Sequence, residues 1–255
     1  MVGVFMVPAA YAAFFYDYRY LSRLTVGAVA RGFLYGGLLG VIAASILEPL
    51  LIHRLTPPSI FVISLIEEFV KICGVVIIAW RLRHDAEIDG IILGAAAGMG
   101  FAALESMGYA FTGFLRSGGS LSITVFITMV RGIMSPLGHG TWTAILASVL
   151  FREARHGHFR LNRKVLGAYL TVVVLHGLWD LLPMVIAFFL LPGLDLFMGQ
   201  TVVGLIGLFI LGQRWREGRR LQMVEAAGAT PPVPPAPATP NLSQLPADLN
   251  HATGE

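Results

Sequence analysis

One cysteine in 255 residues, Cys73, leaves no partner for an intrachain disulfide and no second thiolate for a zinc–thiolate cluster. Its place inside an apolar helix marks it as a small packing residue. Charge is scarce as well. Only 13% of the residues are Asp, Glu, Lys or Arg and 56% are hydrophobic, where a soluble domain carries roughly 25% charged residues. That balance excludes an ordinary soluble domain. Alternating strands of about ten residues are missing, so a transmembrane β-barrel is excluded as well. The apolar runs have helix length, and the expected fold is all-α, a polytopic membrane helix bundle. A net charge of +3 does not point to nucleic acid, and none is expected as a partner. The helical zinc signature His-Glu-x-x-His is also absent.

Seven apolar stretches are long enough to be read as spans: Val2–Tyr16, Gly32–Leu51, Pro58–Trp80, Ile88–Phe114, Leu121–Phe151, Val165–Leu190 and Leu194–Leu211. The first is followed, not preceded, by its positive charges, which suits an uncleaved span better than a signal peptide. The fourth is rich in Gly and Ala, a pattern that lets helices approach closely. The fifth is expected to be one helix kinked at Ser135-Pro136, because splitting it there would scatter the basic residues over both sides. Kept whole, it leaves only Arg54 and Arg116 in the connections on one side and the other basic residues of the connections on the opposite one. The expectation is a multi-pass protein with its N-terminus outside and its C-terminus in the cytoplasm. Residues 1–220 form the membrane domain. Residues 221–255, with Pro231-Pro-Val-Pro-Pro-Ala-Pro237, form a disordered Pro-rich cytoplasmic tail.

Glu67, Glu68 and Lys71 stand at the centre of the third stretch, in Ser64-Leu-Ile-Glu-Glu-Phe-Val-Lys71. A charged residue at mid-membrane costs about 2.5–3.5 kcal/mol against about 0.3–0.6 gained per Leu or Ile. A structural ion pair at i,i+3 or i,i+4 explains one carboxylate per lysine and leaves a second without purpose. Further ionisable residues fall at similar depth: Glu105, Arg131, His139, His176 and Asp180. Six of the set would normally be charged, and unpaired they would cost roughly 15–20 kcal/mol together. They are therefore expected to meet around a polar chamber. Singly, each has a bland explanation: a core histidine, a counter-charge, or a packing aromatic in the case of Phe101 and Tyr109. Together, carboxylates beside two histidines supply a general base, an acid and oxyanion donors, the set that amide hydrolysis needs.

Glu67-Glu-Phe-Val-Lys71, Gly100-Phe-Ala-Ala-Leu-Glu-Ser106, Pro136-Leu-Gly-His139 and His176-Gly-Leu-Trp-Asp180, in this order on successive helices, resemble the PrsW-type intramembrane proteases. That family is related to the CAAX prenyl endopeptidases and the bacteriocin-processing membrane proteins. The resemblance spans about Leu38 to Leu190. It implies an intramembrane endopeptidase of a bacterial cell membrane, acting on membrane-anchored proteins or peptides. By the same resemblance Glu67 and Glu68 match the paired-glutamate motif, Lys71 its basic partner, Phe101 and Glu105 the second motif, and His176 and Asp180 the last. CAAX-type relatives carry His where this chain has Glu105, which argues against a prenylated substrate.

The expected chemistry is a glutamic-type hydrolysis. Glu68, or Glu67 beside it, activates water, and His139 and His176 support the oxyanion and the leaving amine. Glu105 completes the catalytic set, with Lys71, Phe101, Arg131 and Asp180 in support. No cofactor is expected, since Lys71 and Arg131 would compete with a metal for the same carboxylates. Zinc is the alternative, with His139, His176, Asp180 and Glu68 as its ligands. Two other function classes fit part of the pattern: a proton-coupled transporter, which internal repeats would betray, and a non-catalytic scaffold, which would lack the glutamates or histidines.

Overall fold

Small residues make one helix the axis of the bundle. In α5 (Glu87–Arg116), Gly90, Gly94 and Gly98 recur every fourth residue and so share one face. Against that face lies α7 (His139–Arg152), at backbone contact. A Cβ added at Gly94 would lie 2.6 Å from the Thr143 carbonyl oxygen, and one at Gly98 would collide with the carbonyl oxygen of His139. On another face of α5, Gly36 and Gly37 lie on Ala97 and Gly100. Those glycines belong to a single rod made of α2 (Val26–Arg31), a π turn (Gly32–Gly36) and α3 (Gly37–Leu51). Contacts step forward together, Gly32 on Ala96 and Gly40 on Phe101, so α3 and α5 run in the same direction. With neighbours this close, nearly every residue of α5 from Glu87 to Ala103 is buried.

This computed structural model describes residues 2–228 except 20–21, 23, 81–85, 156–157 and 190–194. Of the tail expected over 221–255, residues 221–226 continue α9 and residues 229–255, the Pro-rich stretch included, lie outside the described residues, as do Arg23, Arg81, Arg83 and the junction between the sixth and seventh expected spans. Apart from one isolated bridge between Arg155 and His158, every regular element described is helical. The others are α1 (Met6–Asp17), α4 (Pro57–Ala79), α6 (Leu121–Met134), α8 (Arg163–Phe189) and α9 (Asp195–Ala226).

Seven spans are not what the helices support. Among the described residues, four segments are long and apolar enough to cross a membrane: Val26–Leu51, Glu87–Arg116, Leu121–Arg152 and Arg163–Val185. These make the chain a multi-pass membrane protein. The first expected span is a short helical stretch, Val2–Asp17, which at about 1.5 Å per residue falls short of a hydrocarbon core about 30 Å thick. α4 has the length but holds three charged residues at its centre. α9 carries Arg214, Arg216, Arg219 and Arg220 in its second half. Both pack as parts of the bundle. With the count of seven goes the parity argument for termini on opposite sides of the membrane. What stands is a sorting of charge: Arg152 on Glu217 (2.6 Å), Arg214 on Glu87 (2.5 Å) and Lys164 on Glu153 (2.9 Å) share one end of the bundle. Hydrogen bonds from Lys164 and Asn162 hold the Glu153 carboxyl below its ordinary range.

The fifth stretch is one span broken at its middle, as the sequence implies. α6 ends at Met134, a 3-10 turn covers Ser135–Leu137, and α7 starts at His139. Pro136 has no N–H for the helical ladder. Side chains take up the freed carbonyls: Ser135 Oγ donates to Gly132 O (2.8 Å) and Thr141 Oγ1 to Pro136 O (2.6 Å). The break aims His139 inward from a helix start.

The close seam makes Gly98 a sensitive position. Gly98→Val should push α7 away at the residue that presents His139. Overpacking of this kind costs about 1–3 kcal/mol. We expect a lowered thermal midpoint in detergent for Gly98→Val, and near wild-type behaviour for Gly108→Val, where a Cβ meets nothing within 4 Å. Equal midpoints for the two variants would contradict the seam.

Candidate active site

α4 starts cleanly. Thr56 and Ser59 form a reciprocal cap around Pro57 and Pro58, with the Thr56 N–H donating to Ser59 Oγ (2.7 Å) and the Ser59 N–H to Thr56 Oγ1 (3.4 Å). From that start the helix carries Glu67, Glu68 and Lys71 into the bundle, all buried. Lys71 and Glu68 are both 0% exposed, and their pair is close: Nζ to Oε1 is 2.6 Å. Lys71 also donates to His139 Nδ1 (2.8 Å) and lies over the Phe101 ring at 4.6 Å. Its ammonium is thus shared between Glu68, His139 and an aromatic face, with Glu67 Oε2 further off at 3.6 Å.

The two histidines come from different helices and meet at a ring separation of 5.0 Å. Each has one nitrogen on a carboxylate. His139 Nε2 donates to Glu105 Oε2 (3.0 Å), and His176 Nδ1 donates to Glu68 Oε1 (3.0 Å). Their other nitrogens turn toward Glu67 Oε2, His139 Nδ1 at 3.8 Å and His176 Nε2 at 3.7 Å. That oxygen is buried and has no hydrogen-bond partner. Asp180, one turn beyond His176, reaches its Nε2 at 3.4 Å. Arg131 pairs with Glu105 (2.7 Å), donates to Ser106 Oγ (3.0 Å) and lies over Tyr109 at 4.0 Å. All nine residues singled out in the sequence therefore share one constellation: Glu67, Glu68, Lys71, Phe101, Glu105, Arg131, His139, His176 and Asp180.

Two members had no usable signal in the sequence. Trp142 stacks on His176 at 4.7 Å and 25° and meets His139 edge-on at 5.3 Å. A tryptophan in an apolar run looks like packing until the partner is known. Glu48 lies near the end of a span, where a carboxylate is unremarkable. Yet Val41, Ala44, Ser45 and Glu48 form one face of α3 and line the same cavity of about 310 Å³ as Glu67, Glu105, His139, His176 and Asp180. Glu68 and Lys71 do not reach that cavity.

Glu67, His139 and His176 each offer one ligand atom, and the three atoms lie within 4.8 Å of one another. Two imidazoles and a carboxylate are a donor set of catalytic zinc sites. The outer shell fits as well. A ligating histidine is ordinarily oriented by a carboxylate on its second nitrogen, as Glu105 and Glu68 orient these two. Lys71 would have to release His139 Nδ1 and can do so while keeping Glu68. Glu67, not Glu68, completes the group.

Residues 25–211 match the family model of the PrsW family intramembrane metalloproteases. Neither a curated protein nor a solved structure matches the chain. Two expectations are corrected here. A glutamic-type enzyme gives way to a metallo type, and the absence of a cofactor gives way to a metal site, because the matching family is one of metalloproteases and Glu67, His139 and His176 converge. The physical reason lies with the cations. Lys71 and Arg131 were expected to compete for the carboxylates, but their close contacts are with Glu68 (2.6 Å) and Glu105 (2.7 Å), and Lys71 stays 3.6 Å from Glu67 Oε2, which has no hydrogen bond.

Proposed function

The chain belongs to the PrsW family of intramembrane metalloproteases, and from that premise we propose that it is an endopeptidase for membrane-anchored proteins or peptides, with its catalytic centre at Glu67, His139 and His176. The convergence of those three ligand atoms on the wall of a cavity within the helix bundle carries the proposal. Glu67, His139 and His176 would hold a divalent metal there, which would supply Lewis-acid chemistry for amide hydrolysis near neutral pH.

The remaining steps fall to the chain itself. Asp180 lies 3.4 Å from His176 and, with its side chain 39% exposed, is the most open of the carboxylates on the two imidazoles. It is placed to take a proton from the attacking water and return it to the leaving nitrogen. Glu105 and Glu68 hold the two imidazoles in one tautomer and orientation. Lys71 and Arg131 neutralise those carboxylates, so the centre keeps its geometry without drawing them toward the metal. Trp142 braces the His176 ring from one face. Residues 1–220 would make up the catalytic unit and the Pro-rich segment an appended tail.

Purified protein in liposomes, given a panel of single-span peptides, tests the proposal. The expected result is cleavage at a defined bond within or next to the span, lost in Asp180→Asn with metal content retained. A wild-type protein that carries metal and cleaves none of the panel, yet moves protons across the liposome membrane, would replace the peptidase with a transporter.

A further inference from the structure

The chamber holds more negative charge than its own cations answer. Five carboxylates gather at the site: Glu48, Glu67, Glu68, Glu105 and Asp180. Four have a role or partner already described. Glu68 is held by Lys71, Glu105 by Arg131 and His139, Asp180 lies on His176, and Glu67 turns its free oxygen to the two imidazoles. Glu48 has no hydrogen bond or ion pair from any described side chain. It is half-buried on the cavity-facing stripe of α3, one turn beyond Ala44 and Ser45.

Position along the bundle separates Glu48 from the catalytic group. α3 and α5 run in parallel, with Gly40 beside Phe101. Glu48 therefore lies about two turns further along, level with Tyr109 rather than with the imidazoles. This is the direction away from the rim formed by Arg152, Arg214 and Lys164, and toward the more exposed part of the cavity, where Tyr109 is half exposed. Glu48 shares one cavity with Glu67, where the reaction is placed. A peptide with its scissile bond at Glu67 would lay its chain past Glu48. Gly74 lies on Gly36 and Lys71 on Gly40, so α4 runs antiparallel to α3 and Glu67 is level with Ala44, one turn short of Glu48. At about 3.3 Å per extended residue, that offset of about 6 Å corresponds to a side chain some two residues from the bond.

We propose that Glu48 is a specificity-determining residue that binds a cationic group of the substrate, a Lys or Arg side chain a few residues to one side of the cleaved bond. A cation is the ligand this position calls for. A carboxylate in a low-dielectric wall with no internal partner gains from a charge-assisted hydrogen bond, and an ammonium or guanidinium is the peptide group that supplies one. An acidic side chain would be repelled by Glu48 and by the other carboxylates around it. An apolar one would leave Glu48 as it is.

The inference rests on the peptidase reading above, and the test separates the two. Liposomes carrying the wild-type protein are given single-span peptides in which one position at a time, along six positions to each side of the cleaved bond, is Lys or norleucine. One register position should show a Lys over norleucine ratio in kcat/KM of about tenfold or more, as expected for a charge-assisted hydrogen bond. That ratio should fall to about one in Glu48→Gln and survive in part in Glu48→Asp. The same peptides with a reduced amide at the target bond, fluorescently labelled, give Kd values that do not depend on turnover. Their Lys preference should vanish in Glu48→Gln. Equal kcat/KM and equal Kd for Lys and norleucine at every position, or a preference that Glu48→Gln leaves intact, would overturn the inference. Absence of cleavage with a Glu48-dependent Lys preference in Kd would sink the peptidase reading alone.

Discussion

His176→Ala should abolish peptide hydrolysis, by about 10³-fold or more, and strip the metal from the purified protein. The size follows from the several kcal/mol that a Lewis acid contributes to charge stabilisation, at about 1.4 kcal/mol per factor of ten. His176 is 2% exposed, turns Nε2 to Glu67 and is fixed by Glu68 and Trp142, so nothing nearby can replace its nitrogen. Glu67→Gln should act alike, since the amide keeps the shape of the side chain and removes its charge. Glu105→Gln is the informative contrast. It touches the group only through His139 Nε2, and a loss of about 10–100-fold in metal affinity or activity is the usual effect of such an outer partner. Metal content per chain by elemental analysis is read beside activity for all three. Full metal occupancy in both His176→Ala and Glu67→Gln would rule out these ligands.

Removal of the metal should be as severe. Dialysis of the active protein against a membrane-permeant chelator such as phenanthroline is expected to end hydrolysis, and stoichiometric zinc to restore it. A readout independent of turnover accompanies this one. A ligand that binds only the folded state stabilises it by about 2.7 kcal/mol at a free concentration 100 times its Kd. The metal-free protein should therefore melt lower, and zinc should raise its midpoint in the wild type but not in His176→Ala. Hydrolysis that survives exhaustive chelation, with far less than one metal per chain, would defeat the metallo type.

The ingredients of the site were legible because each is expensive where it stands. A glutamate, lysine or arginine amid apolar helix residues needs a partner, and the i,i+4 and i,i+3 spacings put Glu67 and Glu68 both within reach of Lys71. Arg131, expected to be a counter-charge, pairs with Glu105. The number of spans was misjudged for a related reason. Length and hydropathy treat each apolar stretch alone, whereas Val2–Asp17 is too short to cross by itself and α4 has its three charged residues hidden by α5, α7 and α8.

What the sequence by itself determined is a helical membrane protein with its ionisable residues gathered inside, since composition and helix periodicity alone demand both. It also determined the kink at Pro136, where the missing N–H acts locally. Only the tertiary structure decided which carboxylate is free. Glu67 and Glu68 are adjacent, and their spacings to Lys71 leave either one able to pair with it. The choice came from the turn of α4 against its neighbours, which sends Glu68 to Lys71 and His176 and Glu67 into the cavity. That turn also reversed the expected chemistry. With Lys71 closest to Glu68 and Arg131 on Glu105, two imidazoles and a carboxylate oxygen without a hydrogen bond converge within 4.8 Å, a donor set that suits a metal ion.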